Sequence, residues 1–381
     1  MPDLDADRPG AYAYEEVTAS EVRDAIFGAS PTSAPGPSGI TNQAVRWAWD
    51  VASAELVTLF ALSARIGHHP APYHQSVSVA LQKPRKPDYT IPRAYRLIAL
   101  LDCVGKVLER IQARRLSYLS SIHGLVSQAQ FGGLPGRSTD DALLCFLHDV
   151  EAAKNHGKVT SSLTFDIQGY FDHINHACLL STLVNLRVPL LIVRWVRSFL
   201  SDRSTALCLD GIRDVMAAVQ TGVPQGLPVS PILTAYYSST LTARFTEYSA
   251  ALQDDPLFPE DATAPSLMIF VDDGHIYVSS DSLEANSEIL EAAYAVAEAW
   301  AVSHGLRLDP EKRELQHFST RRVDDNVSPT VSLPGPEGVG AVEVVAQPTL
   351  KWLGVLLDRR LLFREQTRSS CAKAEQALGA L

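Results

Sequence analysis

The spacing of apolar residues changes several times along the chain, and each change predicts an element. Alternating or short apolar runs predict strands at 77–82, 95–100 and 159–165. Apolar residues three to four positions apart predict helices at 19–27, 43–64, 104–119, 139–150, 231–245 and 284–304. We expect Thr18 and Glu21 to form a capping box at the start of the first helix, and Asp281 and Glu284 to form one at the start of the last. Thr139 or Asp140 is the expected N-cap of the fourth helix. Ser230 is the expected N-cap of the helix that starts at Pro231. The alternation of strands and helices, without an internal repeat, indicates an α/β chain.

Two adjacent carboxylates, Asp272 and Asp273, lie inside the apolar segment 266–279. Apolar runs around an Asp-Gly pair are a strong local hairpin signal, so we predict a β-hairpin whose tight turn ends at Gly274. Side-by-side carboxylates repel each other unless protons or a divalent cation offset their charge. The segment therefore indicates either a solvated hairpin tip or part of a metal site.

The composition is that of an ordinary globular protein. The chain has 381 residues, of which 46% are hydrophobic and 20% charged, which is enough for a full core and for two or more lobes. Its five cysteines form no Cys-x-x-Cys pair, so we expect reduced core thiols rather than disulfides or a zinc knuckle. No stretch approaches the roughly 18 apolar residues of a membrane span. We therefore expect no membrane partner and a soluble intracellular protein of the cytoplasm or nucleus.

The formal net charge of −10 hides a basic segment. Between Lys83 and Arg115, nine basic residues stand against three acidic ones, which leaves −16 for the remainder of the chain. Because salt confines charge effects to about 10 Å, such a stripe can hold a polyphosphate or a nucleic-acid backbone within an acidic protein. The alternative is that Arg110, Arg114 and Arg115 form a solvated helix face.

A further carboxylate, Asp166, follows the predicted strand 159–165, at the position where α/β proteins tend to place active groups. Asp166 and Asp272 are 106 residues apart, and we expect both at strand ends of one mixed sheet. Two carboxylates brought together there are enough to bridge two Mg²⁺ ions about 3.5 to 4 Å apart for in-line phosphoryl transfer. One ion would lower the pKa of an attacking hydroxyl, and the other would stabilise a leaving pyrophosphate.

Nine segments are specific when they are taken together and in order. They are Ala34–Ile40, Lys83-Pro84, Tyr95–Ile98, Gln130–Asp140, Phe165–Asp172, Gly222–Pro231, Phe270–Asp273, Gly305–Lys312 and Trp352–Asp358. Over nearly the whole chain they resemble the reverse transcriptases of non-LTR (LINE-type) retrotransposons. The resemblance implies an α/β (α+β) right-hand polymerase with fingers and a palm, the palm being a small antiparallel sheet backed by helices. Ser38, Val271 and Leu227 depart from the family's usual residues but leave the carboxylates intact.

The resemblance also assigns catalytic and metal-binding roles. Asp166 and Asp272 would hold two Mg²⁺ ions, with Mn²⁺ as the alternative. Asp273 would complete the negative charge of the site. The backbone carbonyl of Ile167 is a further metal ligand in this interpretation. Lys312 would protonate the leaving pyrophosphate as a general acid, the alternative being an ordinary lysine in a polar loop.

Further residues are assigned to nucleotide binding. Phe171 matches the steric-gate position, where a bulky ring excludes a ribose 2′-OH; the alternative is an ordinary core aromatic. Gln225 and Gly226 would position the incoming nucleotide, the alternative being a simple turn. Lys83 and Arg96 would neutralise the triphosphate, the alternative being surface charge.

The resemblance divides the chain into three parts. Residues 1–158 would form the fingers with an N-terminal extension, and 159–345 the palm with an inserted helical segment near 180–220. Residues 346–381 would form the palm end and the start of a thumb. Because neither an endonuclease nor an RNase H motif is present, we expect a fragment of a larger element or a decayed copy, truncated at the thumb.

The expected function is that of an RNA-directed DNA polymerase, which adds deoxynucleotides to a primer 3′-OH in retrotransposition. Its partners would be an RNA template, a DNA primer and dNTPs, and the sequence does not indicate an oligomeric state. Three alternatives stay open: a catalytically silent nucleic-acid-binding fragment, an RNA-dependent RNA polymerase and a two-metal nuclease. A gate at Phe171 disfavours the RNA polymerase, and a nuclease should carry additional carboxylates in place of the Gln225 loop.

Overall fold

The fold is known from a computed structural model that describes residues 12–84, 86–336 and 338–379. The helices are α1 (Ala19–Phe27), α2 (Asn42–Arg65), α3 (Cys103–His123), α4 (Thr139–Asn155), α5 (Tyr170–His173), α6 (His176–Asn185), α7 (Leu190–Leu200), α8 (Ser230–Gln253), α9 (Leu283–Ser303) and α10 (Arg364–Gly379). The strands are β1 (Gln75–Gln82), β2 (Tyr95–Leu100), β3 (Val159–Asp166), β4 (Arg203–Leu209), β5 (Ile212–Arg213), β6 (Ala217–Val219), β7 (Ser266–Phe270), β8 (Asp273–Ser280), β9 (Glu314–Phe318), β10 (Val331–Pro334), β11 (Ala341–Val344), β12 (Thr349–Trp352) and β13 (Val355–Asp358).

The described residues form two compact units, each built from two stretches of chain. The first unit takes in the residues up to Val126 together with Gly169–Tyr237. The second takes in Ser127–Gln168 and the residues from Ser238 onward. The three-part division predicted from the sequence stays a prediction.

The first unit contains a mixed sheet of order β2-β1-β4-β5, with β6 also paired to β4. β1 runs antiparallel to β2 and parallel to β4, so that Val77 lies opposite both Leu100 and Ala206. α7 supplies two large, fully buried side chains to this unit, Trp195 and Phe199, whose stacked ring centroids lie 5.2 Å apart. The core of the first unit is therefore aromatic on the side of α7.

The basic stripe predicted between residues 83 and 115 is partly used inside the first unit. Arg115 forms a 2.8 Å ion pair with Glu21 of α1. Arg110 and Arg114 donate to carbonyl oxygens in the last turn of the same helix, at 3.4 and 3.2 Å. Carbonyls at a helix C-terminus lack intrahelical donors and attract cations. These three arginines therefore hold α3 against α1, and Arg114 is exposed as well. A nucleic-acid contact by the basic segment stays a prediction.

The second unit contains a four-stranded sheet of order β7-β8-β3-β9, in which all pairings are antiparallel. This confirms the small antiparallel sheet backed by helices and corrects the expected mixed sheet. α9 packs on the face that carries Phe165, whose ring meets that of Tyr294 edge to face at 6.0 Å. The other face packs on Phe146 of α4, around which lie Tyr277, Phe318 and Trp352. Both faces of β3 are thus buried.

Several helix ends differ from the prediction by a residue or more. The cap of α4 is Ser138, which forms a capping box with Asp141, rather than Thr139 or Asp140. The cap of α9 is Ser282, whose hydroxyl accepts from the backbone N–H of Ala285, rather than Asp281 boxed with Glu284. Serine competes well for this position because its short side chain reaches the free N–H groups of the first turn. α4 and α8 also run past the predicted ends, to Asn155 and Gln253.

The cysteines are unpaired, as predicted, but most of them are not core residues. Cys103 is buried, Cys178 and Cys208 are half-buried, and Cys145 and Cys371 are exposed. Among the residues that the structure describes, no helix combines the length and apolar character required to cross a membrane.

Candidate active site

The predicted hairpin is formed by β7 and β8, but its turn lies earlier than expected. Phe270 pairs with Asp273, so the two-residue loop consists of Val271 and Asp272. Val271 has φ +61°, a conformation that β-branched residues rarely adopt. Such strained residues cost about 1 to 3 kcal/mol and tend to occur at functional sites. Asp272 is therefore the residue at the tip, whereas Asp273 already belongs to β8.

Gly274 lies inside β8 and not in the turn. A Cβ atom on Gly274 would lie 2.1 Å from Cζ of Phe165, which is its direct partner on β3. Glycine is thus required because the aromatic ring covers the backbone of the neighbouring strand. This packing explains the Asp-Gly pair that the sequence analysis interpreted as a turn.

The carboxylate-bearing segments meet at one end of this sheet. Asp166, the last residue of β3, is the register partner of Asp273. The backbone N–H of Ile167 donates to the carbonyl of Asp272 across 3.1 Å, so the next residue of the chain is joined to the hairpin tip. The structure therefore brings Asp166, Asp272 and Asp273 together, and the chain reversal around them is held by backbone hydrogen bonds.

Lys312 completes this group. Its Nζ atom lies 2.7 Å from Oδ2 of Asp166 and 3.8 Å from Oδ2 of Asp309. Asp309 is nearly buried, and its backbone N–H donates to the carbonyl of Asp166 across 2.8 Å. The Asp309–Lys312 turn is thereby anchored on the end of β3, and the ammonium group is placed beside the carboxylates.

The electrostatics of the group follow from burial and from crowding of like charges. Burial, followed by the negative charges of Asp272 and Asp166, raises the pKa of Asp273 to about 6, and Lys312 opposes that shift. Burial acts to lower the pKa of Lys312, but the hydrogen bond to Asp166 and the surrounding carboxylates outweigh it and raise that pKa. The lysine therefore stays protonated, and the carboxylates still carry more negative charge than it offsets.

These residues fit a hard divalent cation. Within residues 12–84, 86–336 and 338–379, no group of three or more His, Cys, Asp or Glu side chains has the arrangement of a complete metal site. Mg²⁺, however, is usually held by one or two carboxylates together with substrate phosphates and water rather than by an all-protein cage. Burial, followed by the neighbouring carboxylates Asp272 and Asp166, raises the pKa of Asp273, and a divalent cation would offset the repulsion among these carboxylates.

The segment 129–132 supports the hairpin from its open edge. The backbone of Phe131 donates to Ile269 across 2.8 Å, and Ile269 donates to Ala129 across 2.8 Å. A Cβ atom on Gly132 would lie 2.6 Å from the backbone nitrogen of Val271. The glycine in the Gln130-Phe-Gly block therefore lets this segment lie directly against the strained turn.

The predicted nucleotide-binding loop belongs to the first unit and is fastened on two sides. On one side, the N–H of Ala99 in β2 donates to the carbonyl of Gln225 across 3.1 Å. On the other, the N–H of Val223 donates to the carbonyl of Phe171 across 2.7 Å. Gly226 has φ +93°, a value accessible to glycine at no steric cost. The loop is thus a fixed structure between β2, which carries Arg96, and the Phe171 segment.

The aromatic pair at the start of α5 has divided roles. Tyr170 is buried and donates from its hydroxyl to the carbonyl of Thr234 across 2.9 Å. Phe171 is only half-buried, with its ring 6.1 Å from that of Tyr170. The core aromatic of this segment is therefore Tyr170, which leaves the ring of Phe171 partly available to a ligand.

The two predicted phosphate-binding cations also lie in the first unit. Arg96 is exposed on β2, and Lys83 follows β1 and donates from Nζ to the carbonyl of Arg93 across 3.1 Å. Partial desolvation raises the pKa of Asp172, although the residue is exposed at the surface, and the positive charges of His173 and Lys83 oppose that shift. Arg96 thus lies on the strand that holds the Gln225 loop, and Lys83 follows the neighbouring strand β1.

Sequence reasoning missed two residues that hold others in place. Asp309 was passed over inside the Gly305–Lys312 motif, although an Asp-Pro pair signals a turn that a carboxylate can stabilise. The ring Nε2 of His176 lies 2.7 Å from the carbonyl of Gly222 and thereby secures the Gln225 loop. A lone histidine at a helix start carries no pattern that would reveal this contact.

Known proteins match most of this chain. The family described as "Reverse transcriptase (RNA-dependent DNA polymerase)" matches residues 83–357. The "RNA-directed DNA polymerase from mobile element jockey" of Drosophila melanogaster is 26% identical over 91% of the chain and 36% of its own length. The "Probable RNA-directed DNA polymerase from transposon X-element" of the same organism is 27% identical over 90% of the chain and 35% of its own length. The chain thus spans about a third of the length of these curated relatives.

One solved structure illustrates the level of three-dimensional similarity. It is that of apo telomerase from Candida tropicalis, which is 12% identical and covers 82% of this chain and 52% of its own, with a TM-score of 0.49.

Proposed function

Because the chain belongs to the reverse transcriptase (RNA-dependent DNA polymerase) family, we propose that it adds deoxynucleotides to the 3′-OH of a DNA primer on an RNA template. The relatives named RNA-directed DNA polymerases of mobile elements support a role in retrotransposition. They favour this activity over the RNA polymerase and nuclease alternatives. An intracellular location, in the cytoplasm or nucleus, stays a prediction.

The single observation that supports the proposal most strongly is the carboxylate group at the end of the palm-like sheet. Asp166 and Asp273 are register partners, Asp272 lies at the hairpin tip joined to Ile167, and Lys312 pairs with Asp166 at 2.7 Å. A nucleotidyl transfer requires oxygen ligands for cations that neutralise phosphate charge and a proton donor for the leaving pyrophosphate. The group contains both kinds of residue.

Reverse transcriptases generally use divalent metal ions, and we assign two Mg²⁺, with Mn²⁺ as the alternative, to Asp166, Asp272 and the backbone carbonyl of Ile167. When bound, such ions acidify the primer hydroxyl and neutralise the developing charge on the phosphates. Asp273 adds negative charge beside these ligands and supports their hold on the cations. Lys312, kept protonated by its carboxylate neighbours, is the group that gives a proton to the pyrophosphate oxygen as it leaves.

The residues of the first unit are assigned to nucleotide selection. Gln225 and Gly226 bind the incoming dNTP in a loop that backbone hydrogen bonds already fix. The loop therefore loses little conformational entropy when the nucleotide binds. The half-exposed ring of Phe171 excludes a ribose 2′-OH, and Lys83 and Arg96 neutralise the triphosphate. Each of these roles is carried over from the motif that the residue matches.

Primer extension tests the proposal directly. The purified chain is incubated with a DNA primer annealed to an RNA template, dNTPs and Mg²⁺, and the products are resolved by length. We expect extension by the parent chain and its loss in Asp272→Asn, which keeps the side-chain size but removes the charge. The exposed Asp281→Asn serves as the matched control and should extend normally. Equal extension by the parent and Asp272→Asn would contradict the assignment of Asp272.

A further inference from the structure

A second polar cleft lies in the second unit, at the end of β3 away from the carboxylates. It lies between the C-terminal turns of α4, the start of β3 and the segments that follow β9 and β13. Four basic side chains line it, those of Lys154, Lys158, Arg359 and Arg360, together with a single carboxylate, Glu151. Thr160 of the lining and Asp166 are six residues apart on β3, or about 20 Å at the rise of a strand. The cleft is therefore separate from the candidate active site.

The charge in the cleft is only partly compensated. Lys154 pairs with Glu151 at 3.2 Å, and Arg360 pairs with Asp325 at 2.6 Å. The ammonium group of Lys158, in contrast, makes no ion pair or hydrogen bond with any residue described in the structure. The negative end of α4 is nearby, but a helix terminus amounts to about half a unit charge. An excess of positive charge thus remains.

Arg359 is a further cation at a more buried place, where it shares the carboxylate of Asp324 with Arg321. Its Nη2 donates to the carbonyls of Asp324 and Val327, at 2.6 and 3.1 Å, which holds the guanidinium in one orientation. Its Nε is buried and has no hydrogen-bond partner among the described residues. An unsatisfied buried donor on a charged group is costly, and an anionic oxygen is the partner that best relieves it.

The lining also indicates what kind of anion is bound. The aromatic side chain of the cleft, Phe318, is only 3% exposed, so it presents no face on which a base could stack. A free nucleotide is normally recognised through its base as well as its phosphates. A site that offers cations and the hydroxyl of Thr320, without a stacking surface, suits a phosphodiester backbone irrespective of sequence.

We propose that this cleft binds a backbone phosphate of a nucleic-acid strand, through Lys158, Lys154 and Arg359, at a place distinct from the candidate active site. The cleft would thus contact the part of a nucleic-acid strand that extends beyond the reacting nucleotide, which the proposed function does not include. This role rests on the proposed function only in that the ligand is a nucleic acid.

The binding of a labelled single-stranded RNA to the full chain, measured by fluorescence anisotropy across a salt series, tests the cleft. Lys154→Gln/Lys158→Gln should weaken binding several-fold to about tenfold and reduce the slope of log affinity against log salt by about 1. The control Arg65→Ala/Arg244→Ala makes the same change in net charge at exposed helix positions outside the cleft and should leave the slope unchanged. Glu151→Gln should act in the opposite direction and tighten binding, because it frees Lys154.

The outcomes separate the two proposals. If the cleft variant and the control lose affinity equally, or if Glu151→Gln has no effect, the cleft is not a phosphate site. If the cleft variant loses affinity for free dATP but not for RNA, the ligand is a nucleotide, and the proposal is likewise overturned. If the parent chain binds RNA through the cleft but does not extend a primer, that result counts against the catalytic proposal and leaves the binding proposal intact.

Discussion

Lys312 of the Asp309–Lys312 turn donates from Nζ to Oδ2 of Asp166 across 2.7 Å, although the two residues are 146 positions apart. The contact joins the end of β3 to a turn that sequence alone places only in a polar loop. It keeps the ammonium group protonated and beside the carboxylates. The proposed general acid is therefore protonated throughout the neutral pH range.

Replacement of Lys312 separates proton donation from charge. Lys312→Gln should lower the single-turnover rate of nucleotide addition by about 100-fold, the lower range for loss of a general acid. Lys312→Arg keeps the positive charge and a donor to Asp166, but its guanidinium does not release a proton. We therefore expect Arg to restore nucleotide affinity without restoring the rate. If Gln and the parent react equally fast, Lys312 only pairs with Asp166.

Replacement of Phe171 tests sugar discrimination. Phe171→Ala should allow ribonucleotides to be incorporated, because the ring that would contact a 2′-OH is removed, whereas Phe171→Tyr retains the ring and should still exclude them. Primer extension with rNTPs in place of dNTPs gives the measurement, and circular dichroism reports whether the variants fold. If Phe171→Ala still rejects rNTPs while extending with dNTPs, the ring has no role in selection.

Replacement of Gly274 tests the packing beneath the carboxylates. In Gly274→Ala, the added Cβ would meet the Phe165 ring at 2.1 Å, so β3 and β8 must separate or the ring must leave the core. Overpacking of this kind costs about 1 to 3 kcal/mol, and we expect a lower Tm together with loss of extension. Gly340→Ala, where a Cβ would meet nothing within 4 Å, is the control. An unchanged Tm for Gly274→Ala would show that the two strands are not so closely packed.

Glu109 predicts a dependence of stability on pH. This carboxyl in α3 is fully buried, burial raises its pKa to about 7, and the charges of Arg203, Lys106 and Arg110 oppose that shift. The unfolded chain releases the proton near the ordinary value of 4.5, whereas the folded chain retains it up to about 7. Stability from Glu109 is therefore fully present below pH 4.5 and is lost as pH rises to about 7, by up to about 3 kcal/mol.

Glu109→Gln keeps the size and shape of the side chain, and the amide stays neutral at every pH. It should equal the parent near pH 4.5 and exceed it in free energy of unfolding by up to about 3 kcal/mol at pH 8. Urea unfolding at several pH values gives the comparison. Glu55→Gln, at an exposed position of α2, should show no such divergence. Parallel curves for Glu109→Gln and the parent would mean that Glu109 is not protonated in the folded chain.

Local features of the sequence determined a large part of this protein. The hairpin around Asp272, the strand that ends at Asp166 and most helices follow from short-range periodicity, since an amphipathic face is encoded by neighbouring residues. The order of the motifs likewise determined the family, which the match over residues 83–357 confirms. These properties depend on residues close together in the chain.

The tertiary structure decided what depends on distant residues. It placed the turn at Val271 and Asp272 because the Phe165 ring covers Gly274, and it made Asp166 the partner of Asp273 through strand register. It also turned the arginines of α3 toward α1 and set Lys312 on Asp166. Each of these contacts joins segments separated by tens of residues or more, and no local pattern specifies which distant group will satisfy a charge or fill a space.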